Sequence, residues 1–170
     1  GVTGPTGVTG PTGVTGPTGP ISIVSAQFST ISALASIPPD SLVILDTSNT
    51  FNSPGFALIA NQVTVSIPGL YAIDYRVTLD ISSPGGSFIL RINGISTTAL
   101  AGSSTSTGSV ESTVNNINTT AYSTTILRLN AGDIVDIFRT GGTVPIFLGS
   151  AITPSILTVN VQLRFIKIID

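Results

Sequence analysis

The sequence predicts an all-β head, an antiparallel sandwich or jelly roll that assembles as a homotrimer, carried behind an N-terminal collagen-like triple-helix segment. Three observations predict it. Glycine recurs at every third position from Gly1 to Gly19. From Ile21 onward that period of three gives way to a period of two, the spacing at which alternate side chains line one face of a strand. Charged residues make up only 8% of the chain, against about a quarter in an ordinary soluble domain, so part of the surface is expected to be hidden between subunits.

The first segment is GVTGPTGVTGPTGVTGPTGP, residues 1–20. A strict Gly-X-Y register winds as three polyproline-II-like chains, because only glycine fits where three backbones meet the common axis. Flexible linkers keep no such register. The X positions alternate Val2, Val8 and Val14 with Pro5, Pro11 and Pro17, and the Y positions are Thr3, Thr6, Thr9, Thr12, Thr15 and Thr18. Threonine at Y in place of hydroxyproline points to a maker without prolyl hydroxylation, such as a bacterium or phage. These six hydroxyls face solvent in a triple helix and are candidate sites for O-linked sugar, with plain solvated hydroxyls as the other reading. The expected division is 1–20 as stalk fragment and 21–170 as head, and a chain that begins in mid-repeat reads as the C-terminal part of something longer.

The head alternates clearly in LYAIDYRVTLDI, where Tyr71, Ile73, Tyr75, Val77, Leu79 and Ile81 oppose Ala72, Asp74, Arg76, Thr78 and Asp80. That is a half-buried strand. Further strands are expected at 42–46, 56–60, 61–67, 87–92, 123–129, 133–138 and 155–169, separated by turn residues at Ser53-Pro54-Gly55, Pro68-Gly69, Ser83-Pro84-Gly85-Gly86, Asn93-Gly94 and Ala131-Gly132. No segment has a helical period. Many short strands at spacings of roughly ten residues describe a sandwich or jelly roll.

Two strands are apolar on both sides and need cover on both. In the last one, Leu157, Val159, Val161, Leu163 and Phe165 share a face before Ile166 to Ile169 turn both faces apolar; in 133–138, Ile134 and Phe138 oppose Val135 and Ile137. Tyr71, Tyr75, Ile134, Phe138, Leu163, Phe165, Ile166 and Ile168 are therefore the candidates for core or trimer interface, a thick monomer core being the alternative to a subunit contact.

Histidine, cysteine, methionine and tryptophan are all absent. The first two absences exclude Ser-His-Asp and Cys-His catalysis, disulfides and the commonest zinc sites. No apolar run reaches the roughly 18 residues of a membrane-spanning helix, and six basic residues form no nucleic-acid patch. The eight acids show no paired arrangement, and Asp133 reads as a turn residue rather than a calcium ligand. No catalytic residue, metal site or cofactor is assigned. Asp74, Arg76, Asp80, Arg91 and Arg128 either pair across subunits or are solvated. The segment from Gly102 to Thr125, rich in Ser, Thr and Asn, is the candidate contact surface, with 102–109 and 141–143 read as surface loops.

In order, NQVTVSIPGLYAIDYRV, SFILRINGISTTA, TTILRLNAGDIVDIF and a terminal apolar strand resemble the jelly-roll superfamily of tumour necrosis factor and the complement globular heads. The shared marks are Pro68-Gly69-Leu70-Tyr71, Asn93-Gly94 and Gly132-Asp133. With a Gly-X-Thr stalk, the chain further resembles the collagen-like glycoproteins of the bacterial spore exosporium and their clostridial and phage relatives. The resemblance implies a ten-stranded head, trimeric about a threefold axis, facing outward from a stalk on a spore or cell surface and mediating adhesion. It implies exosporium proteins as partners through the region upstream, and a host receptor or glycan as ligand in the adhesin or tail-fibre variant.

Overall fold

The computed structural model describes residues 1–4, 23–30, 35–80, 83–97, 108–110, 119–149 and 159–170. Its strands, in chain order, are β1 Ser25–Thr30, β2 Ser36–Ile37, β3 Ser41–Leu42, β4 Thr47–Ser48, β5 Phe56–Ile59, β6 Gln62–Val65, β7 Gly69–Leu79, β8 Gly86–Ile92, β9 Ile95–Ser96, β10 Gly108–Val110, β11 Thr119–Leu129, β12 Asp133–Thr140, β13 Ile146–Phe147 and β14 Val161–Ile169. They form two antiparallel layers. One runs β11-β7-β14-β1-β4 and the other β10-β8-β12-β6-β5, with β3 beside β12, β9 beside β8, and a small β13-β2 pair apart from both. Five strands lie on each main path, and no α-helix occurs among the described residues.

The inner files of the two layers face each other. Tyr71, Ile73, Tyr75, Val77 and Leu79 from β7 and Val161, Leu163 and Phe165 from β14 meet Val63, Val65, Phe88, Leu90, Val135 and Ile137 from the other layer, all nearly inaccessible. An aromatic chain fills the end where β1 begins. Phe165 lies edge-on to Phe28 (ring centroids 6.3 Å apart) and tilted against Phe56 (5.3 Å), which is edge-on to Tyr71 (6.1 Å), the geometries that aromatic quadrupoles favour.

Both buried tyrosine hydroxyls are satisfied. Tyr75 donates across the sandwich to the Phe88 carbonyl at 2.7 Å, tying the layers together. Tyr71 donates to the Ile67 carbonyl at 2.8 Å, closing the turn that precedes its own strand, and burial pushes its pKa above 10.0. The glycine of that turn is sterically required: a Cβ on Gly69 would stand 2.4 Å from Lys167 Cε and 2.7 Å from the Ile169 carbonyl oxygen. The Pro-Gly-x-Tyr signature thus encodes a turn that only glycine fits and a tyrosine that locks it.

Several expectations are corrected. The apolar run 42–46 is strand only at its start, in β3. Val43 hydrogen-bonds to Ile137 in one layer and Asp46 to Ser29 in the other, so the run is apolar because it crosses the core. β1 is a strand missing from the expected set, since Ala26, Phe28 and the buried Thr30 are a weak inward file. β11 begins at Thr119 rather than 123, and β14 at Val161 rather than 155, with 155–158 outside the described residues. Gly108–Val110, read as the end of a loop, is an edge strand paired with β8.

On β11 the inward file is Ala121, Ser123, Thr125, Leu127 and Leu129, all buried. The Thr125 hydroxyl has no hydrogen-bond partner, a desolvation cost of about 1–3 kcal/mol. Thr125→Val, which keeps the shape and removes the orphan oxygen, is expected to stabilise the head by about 1 kcal/mol. A raised urea midpoint at unchanged slope checks it; a lowered midpoint contradicts it.

Candidate functional site

β1 and β14 run antiparallel with Ser25 opposite Ile166, and the Lys167 amide donates to the Val24 carbonyl at 2.9 Å. The chain therefore enters the head beside the end of its last strand. Above that point, the outer face of the β11-β7-β14-β1 layer is arranged in rows set by the strand register. One row reads Ile126, Ala72, Ile166, Ser25; the next Thr124, Asp74, Arg164, Gln27; the third Tyr122, Arg76, Gln162, Ser29.

Large apolar groups stand exposed around a polar middle on this face. Tyr122 is 72% exposed, Ile126 53%, Ile168 47% and Ile166 38%. The outward file of β11 carries Tyr122 and Ile126 among Thr120, Thr124 and Arg128, while its inward file mixes Ala121, Ser123 and Thr125 with Leu127 and Leu129. β11 is also an edge strand of eleven residues, and a long apolar edge left open invites further pairing. Both features are expected of a strand whose outer side has a protein partner.

The charges on this face are partly paired. Arg164 Nε donates to Asp74 at 2.8 Å, Lys167 pairs with Asp170, and the Arg76 guanidinium reaches the Val159 carbonyl at 3.4 Å. The Lys167 ammonium holds the Asp170 carboxyl below its usual range. Exposed pairs of this kind add little stability, and among the described residues Arg76 and Arg128 reach only the Val159 and Asp170 carbonyls, which leaves the face with two cations outside the ion pairs.

Beside the apolar row, between β1, β14 and the turn after β4, lies a depression of about 220 Å³ lined by Gln27, Asn49, Phe51, Asn52, Arg164 and Ile166 among others. Asn52 is held by three hydrogen bonds to Gln27 and Ser48, whereas the Phe51 ring is 91% exposed.

The candidates named from sequence fall in three places. Tyr71, Tyr75, Leu163 and Phe165 are core. Ile166 and Ile168 lie on the outer face just described. Ile134 and Phe138 lie on the outer face of the opposite layer, so the sandwich separates them from Ile166, and no single flat contact holds both sets. Phe138 gets cover within its own chain from the Arg91 guanidinium, 3.8 Å above its ring. Arg91 is paired there with Asp136, and Asp80 is buried, which removes both from the expected inter-subunit set. Thr3 is exposed; Thr6, Thr9, Thr12, Thr15 and Thr18 lie outside the described residues. Of the segment from Gly102 to Thr125, only β10 and the start of β11 are described.

Ile126 escaped the sequence reading, and Tyr122 entered it only within the 102–125 segment; alternation in TTAYSTTILRL puts both on the file opposite Ala121, Ser123, Thr125, Leu127 and Leu129. Asp133 acts as a turn residue, its two carboxylate oxygens accepting from Asn130 N at 2.7 Å and Asn93 Nδ2 at 2.8 Å. At the far end of β12, Arg139 is fully buried and donates to the carbonyls of Ile37 and Val144 at 2.7 and 2.8 Å. Its desolvation lowers its pKa, against the pull of Asp40. Those bonds fasten β2 and the 141–145 connection to the sandwich.

No family model matches the sequence, and no curated protein matches it. Solved structures do. The chain is similar to Eiger TNF from S. frugiperda, with a TM-score of 0.63 and 18% identity over 87% of this chain and 94% of that one. It is also similar to murine APRIL, at TM-scores of 0.53 and 0.54 with 12% and 13% identity in structures at pH 5.0 and 8.5, over 86% of this chain and 100% of that one. At these identities the likeness establishes the fold, a TNF-like jelly roll.

Proposed function

We propose that this chain is the trimeric head and stalk root of a structural surface protein, non-enzymatic, whose head nucleates and caps a collagen-like stalk. The observation that carries the reading is the exposure of Tyr122 and Ile126 on the outer file of β11, continued across the layer by Ile166. A second copy is the occupant that the sequence itself calls for, since a glycine at every third residue needs three chains. The TNF-like fold of the head supports the same assembly.

Energetics favour the head as nucleus. Ordering a triplet segment costs roughly 1–2 kcal/mol of backbone entropy per residue in each chain, and association adds about 4–15 kcal/mol more. Six triplets without hydroxyproline are a weak source of compensation. Heads that trimerise first hold the three stalk ends at about millimolar effective concentration, and the helix then extends away from them.

The setting proposed is extracellular, the hair-like outer layer of a bacterial spore or a similar cell surface, with threonine-linked sugar on the stalk and exosporium proteins bound upstream. Light scattering tests the assembly: a solution mass three times the 17.3 kDa of the chain is expected at micromolar concentration, and a mass of one chain rejects the proposal. A second reading, an adhesin or tail-fibre head that binds a receptor or glycan, is favoured by the exposed Phe51 ring beside an amide-lined depression. Sugar stacking on aromatic faces with amides alongside is a common mode of glycan capture, and a glycan array separates the two readings.

A further inference from the structure

β14 does not end as a regular strand. Through Lys167 it pairs residue for residue with β7, Ile166 opposite Ala72 and Lys167 opposite Tyr71; the next pair joins Ile169 to Leu70, so Ile168 is an inserted bulge residue. Strict alternation would have put Ile169 on the inward file with Phe165 and Lys167. The bulge moves it to the outward file of Leu70 and Ala72, and bulges characteristically re-aim side chains in this way. Ile166, Ile168 and Ile169 are consequently all exposed, the last at 56%, and Ile23 is exposed at 69% where the chain enters. Lys167 takes the sheltered position instead, its stem lying over Gly69 and its ammonium neutralised by Asp170. Between these groups is a depression of about 300 Å³ lined by Val24, Lys167, Ile168, Ile169 and Asp170.

We infer that the bulged end of β14, together with Ile23, is an intermolecular collar that meets the same residues of two further copies, clasps the three chains at the foot of the stalk and sets the stagger of the triple helix. The inference rests on the trimeric reading above and goes beyond it, because it assigns register-setting to residues distinct from those that hold the heads together. Three observations specify the occupant. The Gly-X-Y period fixes three chains, the collar stands where each of those chains enters its head, and it continues from Ile166 into the next row, where Ile169 lies opposite Leu70 and Arg128 follows on β11. A triple helix needs its chains aligned to within one residue. A packed apolar contact immediately next to the repeat supplies that alignment, whereas a solvated end would leave the feet free to slide.

The chain contains no cysteine, so one introduced thiol reports cleanly on the proximity of the stalk feet. Pro20→Cys in the full chain is expected to form interchain disulfides on mild oxidation. In the same background, Ile168→Ser with Ile169→Ser is expected to cut the crosslinked fraction by about fivefold or more, as the effective concentration of the feet falls, while light scattering still gives a three-chain mass. Ile168→Ser alone, the gentler variant, is expected to lie between. Unchanged crosslinking in the double variant, or no crosslinking in a three-chain Pro20→Cys protein, overturns the collar and leaves the trimer standing. A double variant that falls to single chains overturns the division between register and assembly. A single-chain mass for the parent rejects the trimer and the collar together.

Discussion

Asp136→Ala is expected to lower the stability of the head by about 2–4 kcal/mol, the range for removing one partner of a buried ion pair, reduced here because Arg91 keeps a path to water. Asp136 occupies an outward position of β12, yet its side chain is wholly inaccessible while that of Arg91 is 18% exposed. Arg91 grips it with Nε at 2.7 Å and Nη2 at 3.1 Å, and Gln62 Nε2 adds a third bond at 2.8 Å. The two-pronged bond fixes the guanidinium plane, which is how it also covers the Phe138 ring. Loss of the carboxylate therefore strands two donors and uncovers an aromatic face. Urea unfolding at fixed protein concentration measures the loss, and a double-mutant cycle with Arg91→Ala is expected to show strong coupling. A midpoint within error of the parent, or additive single effects, contradicts the account.

That cluster marks where sequence reading stops. Period two correctly identified β7 and most of β8 and β12, because an antiparallel strand with one buried face writes its burial into alternate residues. The same rule gives no sign that Asp136 is buried, because nothing local announces that Arg91 and Gln62, 45 and 74 residues away, fold over it. The run 42–46 looked like a strand because a core crossing and a strand are equally apolar. The bulge at Ile168 is invisible in one strand taken alone, since it exists only relative to β7.

The assembly face was half legible. Three isoleucines in the last few residues, Ile166, Ile168 and Ile169 around the lysine, advertised a doubly covered strand. Ile134 and Phe138 were candidates of the same kind, but two strands can each be apolar on both sides while belonging to opposite layers, and only the strand order separates them. Ile126 needed a comparison of the two files of β11, both of which carry large apolar groups.

Ile126→Asp is expected to convert the three-chain particle to single chains at micromolar concentration, without unfolding the head. Burying an isoleucine side chain contributes about 1.5–3 kcal/mol, and a closed ring of three identical contacts counts every substitution three times, so the trimer loses about 5–9 kcal/mol before the further cost of desolvating three carboxylates. At about 1.4 kcal/mol per tenfold in affinity, no modest interface survives. The monomer does survive, because Ile126 points away from its own core and is 53% exposed in it. Ile95, equally exposed at 54% but on β9 in the opposite layer, is the matched control: Ile95→Asp adds the same charge to the same kind of surface and is expected to leave the mass at three chains. Light scattering reads the mass, and far-ultraviolet circular dichroism shows whether the sandwich persists. If Ile126→Asp remains trimeric, or if both variants dissociate alike, the outer face of the β11-β7-β14-β1 layer is not what holds the heads together.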